Sequence, residues 1–150
     1  MERISLSEFA DRLNEILPVI IKEFARRQAN ELYKGKITLP QFLILEFLHR
    51  QGECKMKDLA LFMYVSTAAV TGIVDRLVRY GYVARVYQPQ DRRIINIKLT
   101  VKGIDLVKKI NQQRRQMVIK VFGRISQDER ESYLKILMRI RDILTEEKTF

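Results

Sequence analysis

The hydrophobic residues in the first part of the chain recur at helical spacing. Ser5 and Glu8 have the spacing of a capping box, and apolar residues follow every three or four positions as far as Phe24. Pro18 falls inside this pattern, so we expect the helix to kink or break there and to end near Gly35. The chain therefore opens on an amphipathic helix.

Two shorter helices are predicted next. Thr38 and Gln41 form a second capping box, which opens a helix that ends at Gly52. A short helix over residues 56–63 follows, without an obvious side-chain N-cap. Both have apolar residues at helical spacing, so we expect each to bury one face.

A three-residue turn, Tyr64-Val65-Ser66, separates the short helix from the next one. Ser66 is a favourable N-cap, and Gly81 has the position after the helix where a left-handed residue is common. Two short helices joined by such a turn are typical of a helix-turn-helix, which presents its second helix to the major groove of DNA.

The hydrophobic period then changes from helical to alternating. Residues 82–87 (YVARVY) are rich in β-branched and aromatic side chains, and apolar residues alternate with polar ones over residues 95–99. The polar segment between them, residues 88–93, has turn chemistry. This pattern predicts a β-hairpin with a charged tip.

Two further helices complete the chain. Thr100 caps a long helix that reaches at least Val121, and Ser126 with Glu129 forms a capping box for a last helix over Tyr133 to roughly Lys148. The order is four helices, two strands and two helices. The predicted fold class is mainly α with a small β-hairpin wing.

The helix after Ser66 has two unlike faces at about 100° per residue. Apolar residues that we expect in a small core, together with residues of the preceding helix and turn, are Val70, Ile73, Val74, Leu77, Leu59, Ala60 and Val65. The opposite face carries Ala68, Thr71, Gly72, Asp75 and Arg79. Small residues let a backbone approach base edges, whereas a merely solvated face favours long charged side chains. Ser66 and Thr67 suit a phosphate, and Arg76 flanks the surface.

The hairpin tip is the second candidate DNA contact. Arg92 and Arg93 can extend beyond the domain surface, where arginine suits a narrow minor groove. Phosphate would repel a free Asp91, so we expect this carboxylate to orient the tip by pairing with an arginine such as Arg93. Lys98 and Lys102 are expected to support backbone affinity.

The distribution of charge agrees with a polyanionic partner. The chain of 150 residues has a net charge of +10, but residues 1–75 are balanced, whereas residues 76–115 carry eleven Lys and Arg against two Asp. A polyanion facing that segment would gain from counterion release. The alternative is a solvated basic face without a partner.

The composition argues against most other classes. One cysteine, Cys54, and one histidine, His49, leave no metal cluster, and we find no catalytic residues, phosphate loop or cofactor motif. No apolar run approaches roughly 18 residues, so we expect no membrane partner and a cytoplasmic location. Nearby Lys55 and Lys57 could lower the pKa of Cys54 and make it an oxidant sensor, although a lone half-buried cysteine is usually inert.

Together these residues resemble a known family. The stretch DLALFMYVSTAAVTGIVDRLVRYGYVAR, residues 58–85, continues into DRRIINIKLTVKG, residues 91–103. The Asp-x-Arg of the hairpin and the Leu-Thr-x-x-Gly junction into a long helix make the chain look like a member of the multiple-antibiotic-resistance regulator (MarR) family. The resemblance covers the whole order of elements.

The resemblance implies a winged helix-turn-helix over residues 38–100 and a helical dimerisation part made of residues 1–37 and 101–150. It also implies an obligate homodimer that binds double-stranded DNA at a pseudo-palindromic operator, and, in many members, relief by a small-molecule effector or oxidant. Residues that would then face the major groove are Ser66, Thr67, Ala68, Thr71 and Arg76, and Arg93 would enter the minor groove. Gly72 stands where many relatives have a larger contacting side chain, which leaves the operator sequence open.

The terminal helices support a dimer independently. The last helix has a coiled-coil-like seam of Tyr133, Leu137, Ile140 and Leu144. The first helix adds an apolar stripe that includes Phe9, Leu13 and Ile16. Together they exceed what one small winged-helix core needs to cover, although packing within one subunit remains an alternative.

Two other interpretations stay open. A winged helix can serve protein association without DNA readout, but that role would not need arginines at the hairpin tip, and its binding would be insensitive to salt. Family analogy also suggests an effector crevice lined by Tyr33, Phe42 and Phe47, although aromatic residues at helical spacing are more often core.

Overall fold

The computed structural model describes residues 3–27 and 36–146. In these ranges the helices are α1 (Leu6–Arg27), α2 (Leu39–Gln51), α3 (Met56–Met63), α4 (Thr67–Arg79), α5 (Val101–Phe122) and α6 (Gln127–Glu146); the strands are β1 (Cys54–Lys55), β2 (Val83–Tyr87) and β3 (Ile95–Leu99). The chain divides into two compact units, residues 1–113 and 114–150, which we describe separately. The predicted element order is confirmed, with β1 as an addition.

Helix α1 passes through Pro18 without a break, so of the two expected outcomes, a kink or a break, the break is wrong. Ser5 caps the helix as predicted, because its hydroxyl accepts a hydrogen bond from the amide of Glu8 at 3.1 Å. The Glu8 carboxylate accepts from Arg12 at 2.6 Å. The predicted helix end near Gly35 lies outside the described residues.

The short helices begin at hydrogen-bonded caps. At α2 the Thr38 amide donates to the Gln41 side chain at 2.9 Å, and the Thr38 hydroxyl accepts from the Gln41 amide at 3.4 Å, which confirms the predicted capping box. At α3 the Asp58 carboxylate accepts from the Lys55 amide at 3.1 Å. The N-cap residue Lys55 itself makes no side-chain cap hydrogen bond, as the sequence indicated, and the bond from Asp58 was not predicted.

The three strands form an antiparallel sheet in the order β1-β3-β2. The hairpin pairs Val83 with Leu99 and Tyr87 with Ile95, as the alternating pattern predicted. On the other edge of β3, Cys54 pairs with Ile97. The wing is therefore paired, through Asn96 and Ile97 of β3, with the residues that immediately precede α3.

The core of the first unit lies between α2, α3, α4, the sheet and the start of α5. Its fully buried side chains include Phe42, Ile44, Leu45, Leu48, Leu59, Val70, Val74, Leu77, Ile97 and Val107. Ala60 is also buried, and Ile73 is half-buried against the cluster, as expected. Val65 was expected in this core, but it is 42% exposed because the turn before α4 turns it outward.

The second unit contains the end of α5 and all of α6. The Arg130 guanidinium donates to the carbonyl of Phe122 at 3.1 Å and to that of Ile125, which caps the end of α5. The predicted capping box is present. The Ser126 hydroxyl accepts a hydrogen bond from the amide of Glu129 at 3.3 Å, and the Ser126 amide donates to the Glu129 carboxylate at 3.1 Å. Helix α6 starts at Gln127, before the predicted Tyr133, and the predicted end near Lys148 lies outside the described residues.

Within residues 3–27 and 36–146, no single helix has the length and apolar character needed to cross a membrane. Helices α3 and α4 reach that character only when they are joined, and the chain bends by 109° between them. Many of their apolar side chains, such as Leu59, Val70 and Leu77, belong to the core just described, whereas Leu61 and Phe62 are exposed.

Candidate nucleic-acid interface

The turn between α3 and α4 sets the direction of α4. Tyr64 has a left-handed backbone conformation with φ of 54°, and the amide of Val65 donates to the carbonyl of Ala60 at 3.2 Å. The Ser66 hydroxyl then accepts from the amide of Ala69 at 3.1 Å, which confirms the predicted N-cap. The bend of 109° between α3 and α4 is within the range of helix-turn-helix motifs.

Helix α4 presents one face to the core and leaves the other open. The residues that were predicted to face DNA and that are exposed are Ser66, Thr67, Ala68, Gly72, Arg76 and Arg79, and Asp75 lies on the same open surface. A Cβ built on Gly72 would meet no atom within 4 Å. The middle of this helix is therefore a shallow surface onto which another backbone or a base edge can pack.

Thr71 is half-buried, and its hydroxyl is already engaged. It donates to the carbonyl of Thr67 at 2.7 Å, one turn earlier in α4. The hydroxyl proton of Thr71 is therefore already used within α4. What Thr71 offers a ligand is its methyl group and the acceptor lone pairs of the oxygen.

An ion pair that the sequence pattern did not predict joins the open face of α4 to the wing. Arg85, on β2, donates to the carboxylate of Asp75 on α4. The two residues lie ten positions apart on different elements, so the pair could not be predicted from helical spacing. The contact partly neutralises the one carboxylate on the open face of α4, which lowers its repulsion of an approaching phosphate.

The wing tip is organised by Asp91. Its carboxylate accepts from the main-chain amide of Arg93 at 3.0 Å, and its carbonyl accepts from the amide of Ile94 at 3.0 Å. The predicted contact between Asp91 and Arg93 is therefore present, but it reaches the backbone and not the guanidinium. The amide of Gln88 donates to the carbonyl of Ile94 at 3.1 Å and closes the tip.

This arrangement leaves both arginine side chains of the tip in solvent. Arg92 and Arg93 are exposed, and neither has an acidic partner in the part of the chain that the structure describes. The single nearby carboxylate, Asp91, is occupied by a backbone amide. Two guanidinium groups without an acidic partner, at the end of a hydrogen-bonded turn, have the chemistry to bind an anionic groove or backbone.

The end of α4 and the start of α5 meet in what we call the α4–α5 junction, formed by residues 80–82, 100, 102 and 103. Gly81 has φ of 79°, and its amide donates to the carbonyl of Val78 at 3.0 Å, while that of Tyr82 donates to Leu77 at 3.0 Å. This is a Schellman motif, which needs a glycine at its left-handed position. The expected C-terminal role of Gly81 is confirmed.

The two lysines expected to support backbone affinity differ. Lys98 is exposed on β3. The ammonium of Lys102 donates to the carbonyl of Tyr80 at 2.8 Å and lies 4.8 Å from the centre of the Tyr82 ring. Lys102 is therefore already engaged inside the α4–α5 junction, which the sequence could not reveal because the contact spans 22 positions.

Neither of the lone reactive residues forms a site. Cys54 is half-buried in β1, where burial, with a smaller contribution from Asp58, raises the pKa of its thiol to about 11. The expectation that Lys55 and Lys57 lower this pKa is wrong. His49 is exposed in the last turn of α2. Among the described residues no three His, Cys, Asp or Glu lie together as a metal site would require.

The aromatic residues suggested for an effector crevice are core residues where they are described. Phe42 is only 2% exposed. The ring of Phe47 stacks on that of Phe62, with centroids 4.3 Å apart. Tyr33 lies outside the described residues. These positions therefore add no support for a crevice.

Each terminal helix has an exposed apolar face. On α1, Phe9, Leu13 and Ile16 are 48%, 38% and 53% exposed, and no described residue of α1 is buried. On α6, the residues of the predicted seam are exposed by similar fractions: Tyr133, Leu137, Ile140 and Leu144. Apolar faces of this extent in a folded chain are typical of interfaces.

Known proteins resemble both the fold and the sequence. The MarR family model matches residues 37–95, which span the helix-turn-helix and most of the wing. An uncharacterized HTH-type transcriptional regulator of Bacillus subtilis, YsmB, is 28% identical over 125 residues, covering 83% of this chain and 84% of YsmB. The shared part is therefore most of both proteins.

Two solved structures extend the comparison. A MarR family protein from Bacillus stearothermophilus has a TM-score of 0.82 at 25% identity, covering 95% of this chain and 99% of the other. A mutant of MepR from S. aureus, solved bound to an oligodeoxyribonucleotide, has a TM-score of 0.66 at 25% identity, covering 87% and 96%. The element order and the sheet of this chain are thus those of a known winged-helix fold.

Proposed function

This chain belongs to the MarR family of transcription regulators, and from that premise we propose that it binds specific double-stranded DNA sequences as a homodimer. Helix α4 would enter the major groove, and Arg92 and Arg93 of the wing would reach the adjacent minor groove. The MepR structure, in which a similar chain is bound to an oligodeoxyribonucleotide, supports DNA binding.

The observation that carries the proposal is the pairing of an open, small-residue helix face with two unpaired arginines in one compact unit. Ala68 and Gly72 leave space for base edges, and the tip arginines have no acidic partner among the described residues. Phosphate and groove contacts would use the excess charge of residues 76–115, which amounts to +9. A surface that only contacts solvent would need neither a small-residue helix face nor arginines without an acidic partner.

The homodimer is supported by the exposed apolar faces of α1 and α6. Large side chains such as Phe9 and Ile140 remain about half-exposed in the single chain. Burial of apolar area is the main favourable term in association, so such faces favour a permanent partner. A second copy of this chain would place two α4 helices about one DNA turn, roughly 34 Å, apart on a pseudo-palindrome.

Repression is the regulatory outcome that we propose, because a dimer clamped on a promoter excludes other proteins from the same DNA. A small-molecule effector that changes the spacing of the two α4 helices would relieve it; no described cavity identifies that molecule. Since its DNA lies in the cytoplasm of a bacterial or archaeal cell, we place the protein there.

In vitro selection from random duplexes, followed by binding titrations over a range of salt concentrations, tests the function. We expect a two-fold symmetric consensus and an affinity that falls steeply as salt rises. The competing function is protein association through the winged helix. Failure to bind any duplex, together with salt-insensitive capture of a protein partner, would establish that alternative.

A further inference from the structure

The recognition helix α4 ends at the α4–α5 junction, where a lysine from α5 reaches its last turn. The Lys102 ammonium donates to the carbonyl of Tyr80, the C-cap residue of α4, at 2.8 Å. It also lies 4.8 Å from the centre of the Tyr82 ring, within the range of a cation–π contact. A cation at this end also interacts favourably with the helix dipole.

The start of α5 contacts the same turn a second time through Thr100. The Thr100 hydroxyl donates to the carbonyl of Gly81 at 2.6 Å, and its amide donates to the carbonyl of Tyr82 at 3.0 Å. Consecutive carbonyls after α4 are therefore held by residues at the start of α5. Lys102 makes the contact that reaches furthest back, to the C-cap residue of α4.

We propose that Lys102 is a positioning residue for DNA recognition. It ties the C-terminal turn of α4 to the start of α5 and so sets the direction in which α4 meets the major groove, without binding phosphate itself. The proposal rests on the proposed function, since it concerns how the DNA-reading helix is held. The Tyr80 carbonyl takes up one of the three donors of the ammonium, and the salt dependence of binding tests whether the other two contact phosphate.

A charge-matched set of variants separates positioning from phosphate binding. Lys102→Met keeps the length of the side chain and removes the donor, whereas Lys102→Arg keeps a donor and a cation. Lys108→Met removes the same charge from an exposed position on α5 and serves as the control. Each variant is titrated with the selected operator and with an unrelated duplex at several salt concentrations.

We expect Lys102→Met to distinguish the operator less well from the unrelated duplex, while the salt dependence of its DNA affinity stays the same. Lys102→Met should weaken operator binding about five- to tenfold, a change of roughly 1.0 to 1.4 kcal/mol, and leave binding to the unrelated duplex unchanged. Lys102→Arg should restore most of the operator affinity, and Lys108→Met should remain within about twofold of the parent protein. The slope of log affinity against log salt should be the same for Lys102→Met as for the parent.

Amide hydrogen exchange supplies a readout that does not depend on DNA. In Lys102→Met the amides of Gly81 and Tyr82, which close the end of α4, should exchange several-fold faster, while core amides keep their rates. A salt slope reduced by about 0.9 with unchanged exchange would show that Lys102 binds phosphate instead. No change in either readout would also overturn the proposal. If the parent protein bound no duplex, the proposed function would fail, and the exchange rates alone would still decide whether Lys102 holds the turn.

Discussion

The α-carbon of Gly103 packs directly against the main-chain carbonyl of Tyr82, so that a Cβ at position 103 would overlap that oxygen. The same carbonyl accepts a hydrogen bond from the amide of Thr100 at 3.0 Å, so it cannot move away without loss of that bond. The glycine of the Leu-Thr-x-x-Gly pattern is therefore required by close contact between α5 and the residue that follows Gly81.

We predict that Gly103→Ala destabilises the protein. The extra methyl group meets backbone on one side and the Leu99 side chain, 3.2 Å away, on the other. Such overpacking costs about 1–3 kcal/mol. Urea unfolding followed by circular dichroism measures the loss as a lower midpoint.

Gly72→Ala is the matched control for that substitution. It makes the same change in an exposed helix, where nothing lies within 4 Å of the new atom. We expect it to raise the free energy of unfolding by roughly 0.5–1 kcal/mol, because alanine has the higher helix propensity. Equal effects at positions 72 and 103 would contradict the contact described here.

Arg93→Ala should weaken operator binding by about 1–3 kcal/mol and lower the salt slope by about 0.9. The side chain is exposed at the wing tip, and the carboxylate of Asp91 binds only its backbone amide. Its loss should therefore leave the fold intact. Fluorescence anisotropy at several salt concentrations measures both quantities.

Arg115→Ala removes the same charge from an exposed position outside the wing and the recognition helix. It should change operator affinity much less than Arg93→Ala does. If Arg93→Ala changed neither the operator affinity nor its dependence on salt concentration, the proposal that the wing tip contacts DNA would be wrong.

Ile140→Asp should convert the proposed dimer into a monomer. Ile140 lies on the apolar face of α6 and is 46% exposed in the single chain, so a carboxylate costs little there until a partner buries it. Size-exclusion chromatography with light scattering should give the mass of one chain at micromolar concentration. Arg139→Asp introduces the same carboxylate at the neighbouring position and should keep the mass of two chains.

The thiol of Cys54 should react slowly in the folded protein. Burial raises its pKa to about 11 from the usual 9.0, so near pH 8 roughly one molecule in a thousand carries the thiolate. Alkylation by iodoacetamide should therefore become faster as the pH rises toward about 11. In urea the rate should level off near pH 9. A plateau at or below neutral pH in the folded protein would restore the oxidant-sensing hypothesis.

Much of the fold was predictable because its signals are local. Capping residues such as Thr38 and Ser66 lie three positions from the amides that they bind, and the alternation of residues 95–99 corresponds to the pairing of β3. Strand β1 was missed because two residues cannot display a period. Val65 was expected in the core because it is apolar, but it lies in the turn before α4, where no periodicity shows which side chains face inward.

The contacts that complete the candidate site were not predictable, because they join residues far apart in the chain. The Asp75–Arg85 pair and the contact from Lys102 to Tyr80 span 10 and 22 positions. Both depend on the angles at which α4, β2 and α5 pack, and several partners are equally compatible with the sequence. Asp91 was correctly expected to contact Arg93, but hydrogen-bond geometry decided between amide and guanidinium.

The pairing of Cys54 with Ile97 has a consequence for the DNA sequences that this protein can use. Since β3 is bonded on both edges, we expect the hairpin to keep one orientation, so that the distance from its tip to α4 is set before DNA binds. If the proposed mode of binding is correct, each half-site must then keep a constant number of base pairs between the bases that α4 would contact and the minor groove that the tip would enter. One inserted base pair would rotate the second contact by about 35° around the duplex axis. Cognate sites should therefore tolerate base substitutions better than insertions or deletions between the two contacts.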